Sequence, residues 1–155
     1  MSIKGKAYIV GAFEHPTRKA TDKSVMQLHA ECAQGALADA GLKKDDIDGY
    51  FCAGDAPGMG GISMANYMGL RLKHIDSTDT GGSSYLLHVG HAAEAIAAGK
   101  CNIALITLSG RPRSTAIQSA FMISEAALYH FFLLSTQIGL FMDFILLKII
   151  PFSDH

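Results

Sequence analysis

The sequence has few cysteines and no concentration of positive charge, and each shortage excludes a class of protein. Its three cysteines, Cys32, Cys52 and Cys101, are an odd number and lack the paired spacing of a metal site. The 13 Lys and Arg residues are scattered among 14 Asp and Glu residues, so no basic stripe for nucleic acid is present. Residues 1–6 contain no apolar core of a signal peptide. We therefore expect a protein of a reducing, cytoplasmic compartment that binds no nucleic acid.

Apolar residues, in contrast, are plentiful. The chain has 155 residues, of which 49% are hydrophobic, and its formal net charge is −1. That length is enough for one domain with a core of its own, and the composition excludes a disordered protein.

Short apolar runs alternate with segments of helical periodicity as far as residue 108. The predicted strands are residues 7–13, 49–53, 74–78 and 102–108, and the predicted helices are residues 22–40, 64–72 and 84–98. We expect Thr21 or Asp22 to cap the first helix and Gly41 to end it. The β-α-β-α-β-α-β order predicts an α/β fold with a mainly parallel sheet and helices on its faces.

A glycine-rich turn, Gly81-Gly82-Ser83-Ser84, precedes the third predicted helix. Backbone N–H groups at the start of a helix can hold an anion or a developing oxyanion, so this turn is a candidate site for a thioester carbonyl or a phosphate. The alternative is a tight connection between strand and helix in which a serine serves only as a cap.

Six segments in residues 3–114 resemble, in order and spacing, the N-terminal half of a thiolase-superfamily subunit. The branch they resemble most is that of the sterol-carrier-protein-x-like (lipid-transfer) thiolases. The segments are Ala7-Tyr8-Ile9-Val10-Gly11-Ala12, Ala38-Asp39-Ala40-Gly41-Leu42, Asp46-Ile47-Asp48-Gly49, Gly81-Gly82-Ser83-Ser84, Ala95-Ile96-Ala97-Ala98-Gly99 and Ile103-Ala104-Leu105-Ile106.

The resemblance implies a thiolase-like half-domain over residues 1–114. It also implies acyl transfer or C–C bond chemistry in lipid or sterol side-chain metabolism, with a coenzyme A thioester as substrate and no covalently bound cofactor or metal. Subunits of this family form homodimers or heteromeric complexes. The second half of the family, which carries its histidine and second cysteine motifs, is missing from this sequence.

The resemblance places the family's nucleophilic cysteine at Gly82, where no cysteine is present. Ser83 and Ser84 are adjacent, but a serine hydroxyl needs a neighbouring base to become nucleophilic, and the sequence indicates none. Gly81, Gly82 and Ser83 remain candidates for binding the thioester. We therefore expect an N-terminal fragment that is inactive alone. The alternative is a non-catalytic thiolase-like subunit that binds acyl-CoA or a partner, or the accessory subunit of a retro-aldolase.

The resemblance ends after Ser114, and residues 115–155 form an apolar tail. Its residues 126–142 contain no Asp, Glu, Lys or Arg over 17 positions, close to the lower limit for a membrane helix. Membrane attachment through residues 126–150 is therefore a second alternative. A frameshift or a truncated reading frame is the explanation that we expect for this abrupt change.

A histidine pair and a cysteine are two further candidate functional sites, and each also has a structural interpretation. His88 and His91 are three residues apart on the third predicted helix and could share a metal ion, but the sequence indicates no third ligand, which favours structural roles. Cys52 follows a predicted strand, where a nucleophile could lie. A small buried apolar group is the commoner role for such a cysteine, and we expect it here.

Overall fold

The computed structural model describes residues 3–17 and 19–111 and the backbone of residues 143–148. Within these residues, strands and helices alternate in the predicted order. The elements are β1 (Tyr8–Glu14), α1 (Val25–Ala40), β2 (Gly49–Phe51), α2 (Gly61–Met68), β3 (His74–Asp76), α3 (Ser84–Ala97), β4 (Ile103–Ile106) and β5 (Asp143–Lys148), with a short 3₁₀ turn at Lys44–Asp46.

The strands form one mixed sheet with the order β1-β5-β4-β2-β3. β2 pairs in parallel with β3 and β4, whereas β5 is antiparallel to both of its neighbours, β1 and β4. β1 to β4 therefore run in one direction and β5 runs in the other. This arrangement confirms the predicted α/β fold with a mainly parallel sheet.

Alternate residues of the central strands face opposite layers of the fold. Tyr50 and Leu105 are buried in a cluster with residues of α1 and α2, whereas Phe51 and Ile106 are buried in a second cluster with residues of α3. This alternation follows from the two-residue period of a strand. The sheet is thus covered by α1 and α2 on one face and by α3 on the other, and each fully buried large side chain contributes about 1.5–3 kcal/mol.

The first helix begins later than the sequence predicts. Ser24 has an extended backbone, with φ −75° and ψ 159°, and its hydroxyl accepts a hydrogen bond from the Gln27 N–H at 3.0 Å. Ser24 is therefore the N-cap, and the prediction of Thr21 or Asp22 was wrong. The predicted end at Gly41 is confirmed, since its φ of 66° is the left-handed conformation that glycine adopts readily.

The other elements differ from prediction at their ends. α2 begins three residues and ends four residues earlier than predicted, and Gly69, with φ 64°, ends it before Leu72. β3 ends at Asp76 instead of Thr78, because the Thr78 N–H donates to the Asp76 carboxylate and not to a neighbouring strand. β2 and β4 are likewise shorter than predicted at their carboxyl ends.

Asp48 connects the beginnings of three strands. Its Oδ1 accepts the backbone N–H groups of Asn102 and Ile103 at 2.7 and 2.9 Å, and its Oδ2 accepts the Lys73 ammonium at 3.0 Å. Its backbone carbonyl accepts the His74 N–H at 3.1 Å. Burial raises the pKa of Asp48, but the hydrogen bonds outweigh burial and hold that pKa below its ordinary value.

Only part of the predicted tail lies within the described residues. Residues 143–148 are β5, which lies inside the sheet between β1 and β4. The predicted boundary at residue 114 and the rest of the segment 126–150 lie outside the described residues. No helix in the described part of the chain is long and apolar enough to cross a membrane.

Candidate functional site

The glycine-rich turn lies at the edge of the sheet where the parallel strands end. β3 leads into this turn, and the loops that follow β2 and β4 leave the sheet at the same edge. In α/β folds, ligands bind outside the carboxyl ends of parallel strands. The fold therefore places the predicted site where such proteins have their ligand sites.

The two glycines of the turn leave space for a ligand. Gly81 and Gly82 are exposed, and no atom lies within 4 Å of where a Cβ would stand at either position. Gly81 has a φ of 75°, which favours glycine, whereas Gly82 has an ordinary negative-φ or extended conformation. A group larger than hydrogen can therefore approach or occupy position 82 without displacing the chain.

The two serines differ in what their hydroxyls do. Ser84 is buried, and its hydroxyl donates to the Gly81 carbonyl at 2.6 Å and accepts the Thr80 N–H at 2.8 Å. Ser83 is exposed, and its hydroxyl donates to the Thr80 carbonyl at 3.3 Å. Neither serine contacts a histidine or a lysine among the described residues. The Asp79 carboxylate lies 3.4 Å from the Ser84 hydroxyl, but that hydroxyl donates its proton to the Gly81 carbonyl and is not activated. Their hydroxyls close the turn.

A carboxylate borders the turn. Asp79 Oδ1 accepts the Gly81 N–H at 3.0 Å and lies 3.4 Å from the Ser84 hydroxyl oxygen. Its other oxygen lies against Gly54, where a Cβ would collide with it. The negative charge of the Asp79 carboxylate would repel an anionic ligand bound at the turn. Of the two predicted ligands of the turn, the neutral thioester carbonyl therefore fits better than a phosphate.

A partly buried polar network lies beside the turn, and its centre is Asp55. The Asp55 carboxylate accepts the hydroxyl of Tyr85, in the first turn of α3, and the backbone N–H of Ser109 at 2.8 Å. His29 Nε2 lies 3.2 Å from Oδ2, without the alignment of a full hydrogen bond. Burial raises the pKa of Asp55, but these three contacts outweigh burial and hold it below its ordinary value.

The network continues through the interior of the α1 side. His29 Nδ1 lies 2.9 Å from Thr107 Oγ1, which also bonds the Tyr50 hydroxyl at 2.6 Å. All three side chains are completely buried. The order hydroxyl, imidazole, carboxylate resembles a catalytic triad, but a group with no solvent access cannot meet a substrate. Its role is to fix the loops that carry the turn.

The remaining predicted candidates have structural contacts. His88 is buried and its Nε2 lies 2.8 Å from the Thr78 carbonyl, while His91 Nδ1 lies 2.7 Å from Asp76 Oδ2. The described residues contain no group of three His, Cys, Asp or Glu side chains suited to a metal ion. Cys52 is buried and burial raises the pKa of its thiol, which makes it a poor nucleophile.

Comparisons with known proteins identify the fold. No protein-family model matches the sequence, and no curated protein is significantly similar to it. Among solved structures, the chain is similar to the "Ltp2-ChsH2(DUF35) aldolase", with 29% identity over 73% of this chain and 30% of that one and a TM-score of 0.67.

Two other structures support the same fold. An SCP2-thiolase-like protein of Mycobacterium smegmatis is 24% identical over 66% of this chain and 23% of its own, with a TM-score of 0.55. A variant of OleA from Xanthomonas campestris is 10% identical over 93% of this chain and 58% of its own, with a TM-score of 0.72. The chain thus spans between 23% and 58% of the length of these proteins. It has a thiolase-like fold, and the comparisons support its place in the thiolase-like superfamily.

Proposed function

We propose that this chain is the N-terminal part of a lipid-transfer (sterol-carrier-protein-x-like) thiolase-like protein that binds an acyl-CoA thioester at the Gly81–Ser83 turn. The observation that carries the proposal is the open space at Gly82, at the start of α3 and at the carboxyl edge of the sheet. The similarity to an SCP2-thiolase-like protein supports this branch of the superfamily.

The chemistry of the turn favours binding or C–C bond cleavage over formation of an acyl-enzyme. Position 82 has no side chain to receive an acyl group, and the Ser84 hydroxyl is engaged by Gly81 and Thr80. Retro-aldol cleavage of a CoA ester needs no acylated residue at this position. The similarity to a protein that is itself called an aldolase supports that reaction class.

The acid and base of such a reaction would come from outside the described residues. His29 and His88 are completely buried, and the Asp79 carboxylate is bonded to the turn itself. We therefore propose that the chain acts in lipid or sterol side-chain metabolism only within a homodimer or a heteromeric thiolase-like complex, in the cytoplasm. The name "Ltp2-ChsH2(DUF35) aldolase" of one similar structure joins two protein names, which supports a complex.

Acyl-CoA binding to two leucine variants tests the proposed site. Gly82 and Gly90 both have no atom within 4 Å of a Cβ position and both lack a positive φ, so a side chain fits at either. We expect Gly82→Leu to weaken octanoyl-CoA binding by about tenfold or more, measured by calorimetry, and Gly90→Leu to leave it unchanged. Equal affinities for the two variants, or no binding by the unmodified chain, would overturn the proposal.

A non-catalytic subunit is the second candidate, and the glycine at position 82 favours it. Such a subunit binds acyl-CoA with the same dependence on Gly82 but leaves the thioester and its carbon chain unchanged. Mass spectrometry of the bound ester, after incubation with the full chain and with its complex, separates the two functions. Cleavage products indicate an enzyme, whereas intact ester in both samples indicates a binding subunit.

A further inference from the structure

A cavity of about 300 Å³ lies between α1 and α2, and no residue of the glycine-rich turn lines it. Its floor is apolar and is formed in part by Ala33, Leu37, Met68 and Leu105. Leu105 faces the α1 and α2 side of the sheet, whereas the turn leads into α3 on the other side. The cavity is therefore separate from the proposed thioester site, and its role does not depend on that proposal.

Three of the residues that line this cavity have polar side chains. Gln34, Lys44 and Tyr67 line it and are exposed at the surface. Within the described part of the chain, the Lys44 ammonium has no carboxylate within 4 Å, and neither the Gln34 amide nor the Tyr67 hydroxyl has a hydrogen-bond partner. An apolar cavity with a few convergent polar groups is typical of a small-molecule site.

We propose that this cavity binds a short-chain monocarboxylate, with its alkyl chain on the apolar floor and its carboxylate at Lys44. The ammonium supplies the positive charge, and the Tyr67 hydroxyl and the Gln34 amide supply further donors for the two carboxylate oxygens. A water molecule occupies about 30 Å³ in the liquid, so the cavity volume matches a ligand of about ten non-hydrogen atoms. Octanoate has that size.

Binding of octanoate to the full chain, followed by ¹H–¹⁵N NMR, tests the site. The expected result is saturable shifts of amides in α1, α2 and the 3₁₀ turn at Lys44–Asp46, with the amides of Gly81 and Gly82 unmoved. Octylammonium has the same chain and the opposite charge, and we expect it to bind about tenfold more weakly or worse. Acetate, which has the charge without the chain, should also bind more weakly than octanoate.

Two variants and one control locate the interaction. Lys44→Gln should weaken octanoate binding by about tenfold, because it removes the charge and leaves the apolar floor unchanged. Ala30→Met places a larger side chain in the half-buried wall of the cavity, and we expect it to abolish octanoate binding. Lys43→Gln removes a neighbouring exposed charge that does not line the cavity, and it should leave the affinity unchanged.

Three results would overturn the inference. Octanoate that does not bind at millimolar concentrations means that the cavity takes no such ligand. Equal binding of octylammonium would show that Lys44 selects no charge. Equal losses for Lys43→Gln and Lys44→Gln would indicate unspecific attraction to a basic surface. Each result leaves the acyl-CoA proposal intact, because no residue of the glycine-rich turn lines the cavity.

Discussion

The Asp55 carboxylate accepts the hydroxyl of Tyr85, and this hydrogen bond joins the loop after β2 to the first turn of α3. The same carboxylate accepts the Ser109 N–H in the segment after β4. One side chain therefore holds together three of the segments that surround the candidate site. Because Tyr85 follows Ser84 directly, this contact lies immediately beside the glycine-rich turn.

Tyr85→Phe tests the contribution of that contact to stability. The substitution leaves Asp55 with one hydrogen-bond donor fewer in a half-buried position, so we expect a loss of about 1–3 kcal/mol in the free energy of unfolding. A double-mutant cycle with Asp55→Asn, followed by urea denaturation, should give a coupling energy of about 0.5–3 kcal/mol. Tyr67→Phe is the control, since that hydroxyl is exposed and has no partner within the described residues. Additive effects of the two substitutions would contradict the contact.

Asp48→Ala should be among the most destabilising single substitutions of an acidic residue. It removes the acceptor of two backbone N–H groups, those of Asn102 and Ile103, and leaves them without their partner at the start of β4. We expect a loss of about 2–4 kcal/mol by chemical denaturation. Asp45→Ala, at an exposed neighbouring position, should change the stability by about 0.5 kcal/mol or less. Similar losses for the two variants would show that Asp48 does not connect the strands.

Acid should destabilise the protein, and Glu31 accounts for part of the effect. The hydrogen bond from Lys23, followed by that from His15, lowers the pKa of Glu31 from its ordinary value of 4.5 to about 2. Because the folded pKa is the lower one, this contribution is complete above pH 4.5 and is lost as the pH falls towards 2. The pKa values of Asp48, Asp55 and Asp76 are also lowered, so their contributions are lost in the same direction.

Glu31→Gln separates that contribution from the others. The ion pair with Lys23 is partly exposed, so we expect a loss of only about 1 kcal/mol at neutral pH. The difference in stability between the variant and the unmodified chain should shrink as the pH falls from 4.5 towards 2, measured by urea denaturation across that range. A difference that stays constant with pH would contradict the lowered pKa of Glu31.

Gly82→Cys and Gly81→Cys should differ in stability although they are neighbours. Gly82 has space for a side chain and no positive φ, so we expect a change in stability of about 0.5 kcal/mol or less and a thiol that reacts with iodoacetamide. Gly81 has a φ of 75°, and a cysteine there should cost about 1–2 kcal/mol. Thermal unfolding measures the stability of the two variants, and the alkylation rate measures the reactivity of the thiol. Equal destabilisation would show that the space at position 82 is not available.

The order of elements could be predicted from the sequence because its signals are local. Gly41 ends α1 where the left-handed conformation requires glycine, and the pattern of apolar residues predicts β1 to β4. The predicted N-cap of α1 was wrong because Thr21, Asp22 and Ser24 lie within one turn and all have side chains that can cap a helix. Only the packing of the helix decides between them.

Contacts between distant residues could not be predicted in this way. His29 and Thr107 are 78 positions apart, and nothing in either local segment indicates that they meet. The pairing of β5 with β1 and β4 could not be predicted either, because these strands are far apart in the sequence. The glycine-rich turn could be chosen as a candidate site from the sequence because its residues are consecutive. The cavity between α1 and α2 could not be predicted from the sequence, because residues from separate elements form its walls.

The most direct test of the account compares octanoyl-CoA with its thioether analogue, which lacks the carbonyl group. We predict that the thioester shifts the amide resonances of Gly82 and Ser83 and binds about tenfold more tightly than the thioether. Equal affinities, or amide shifts confined to residues away from the turn, would contradict the claim that this turn holds a thioester carbonyl.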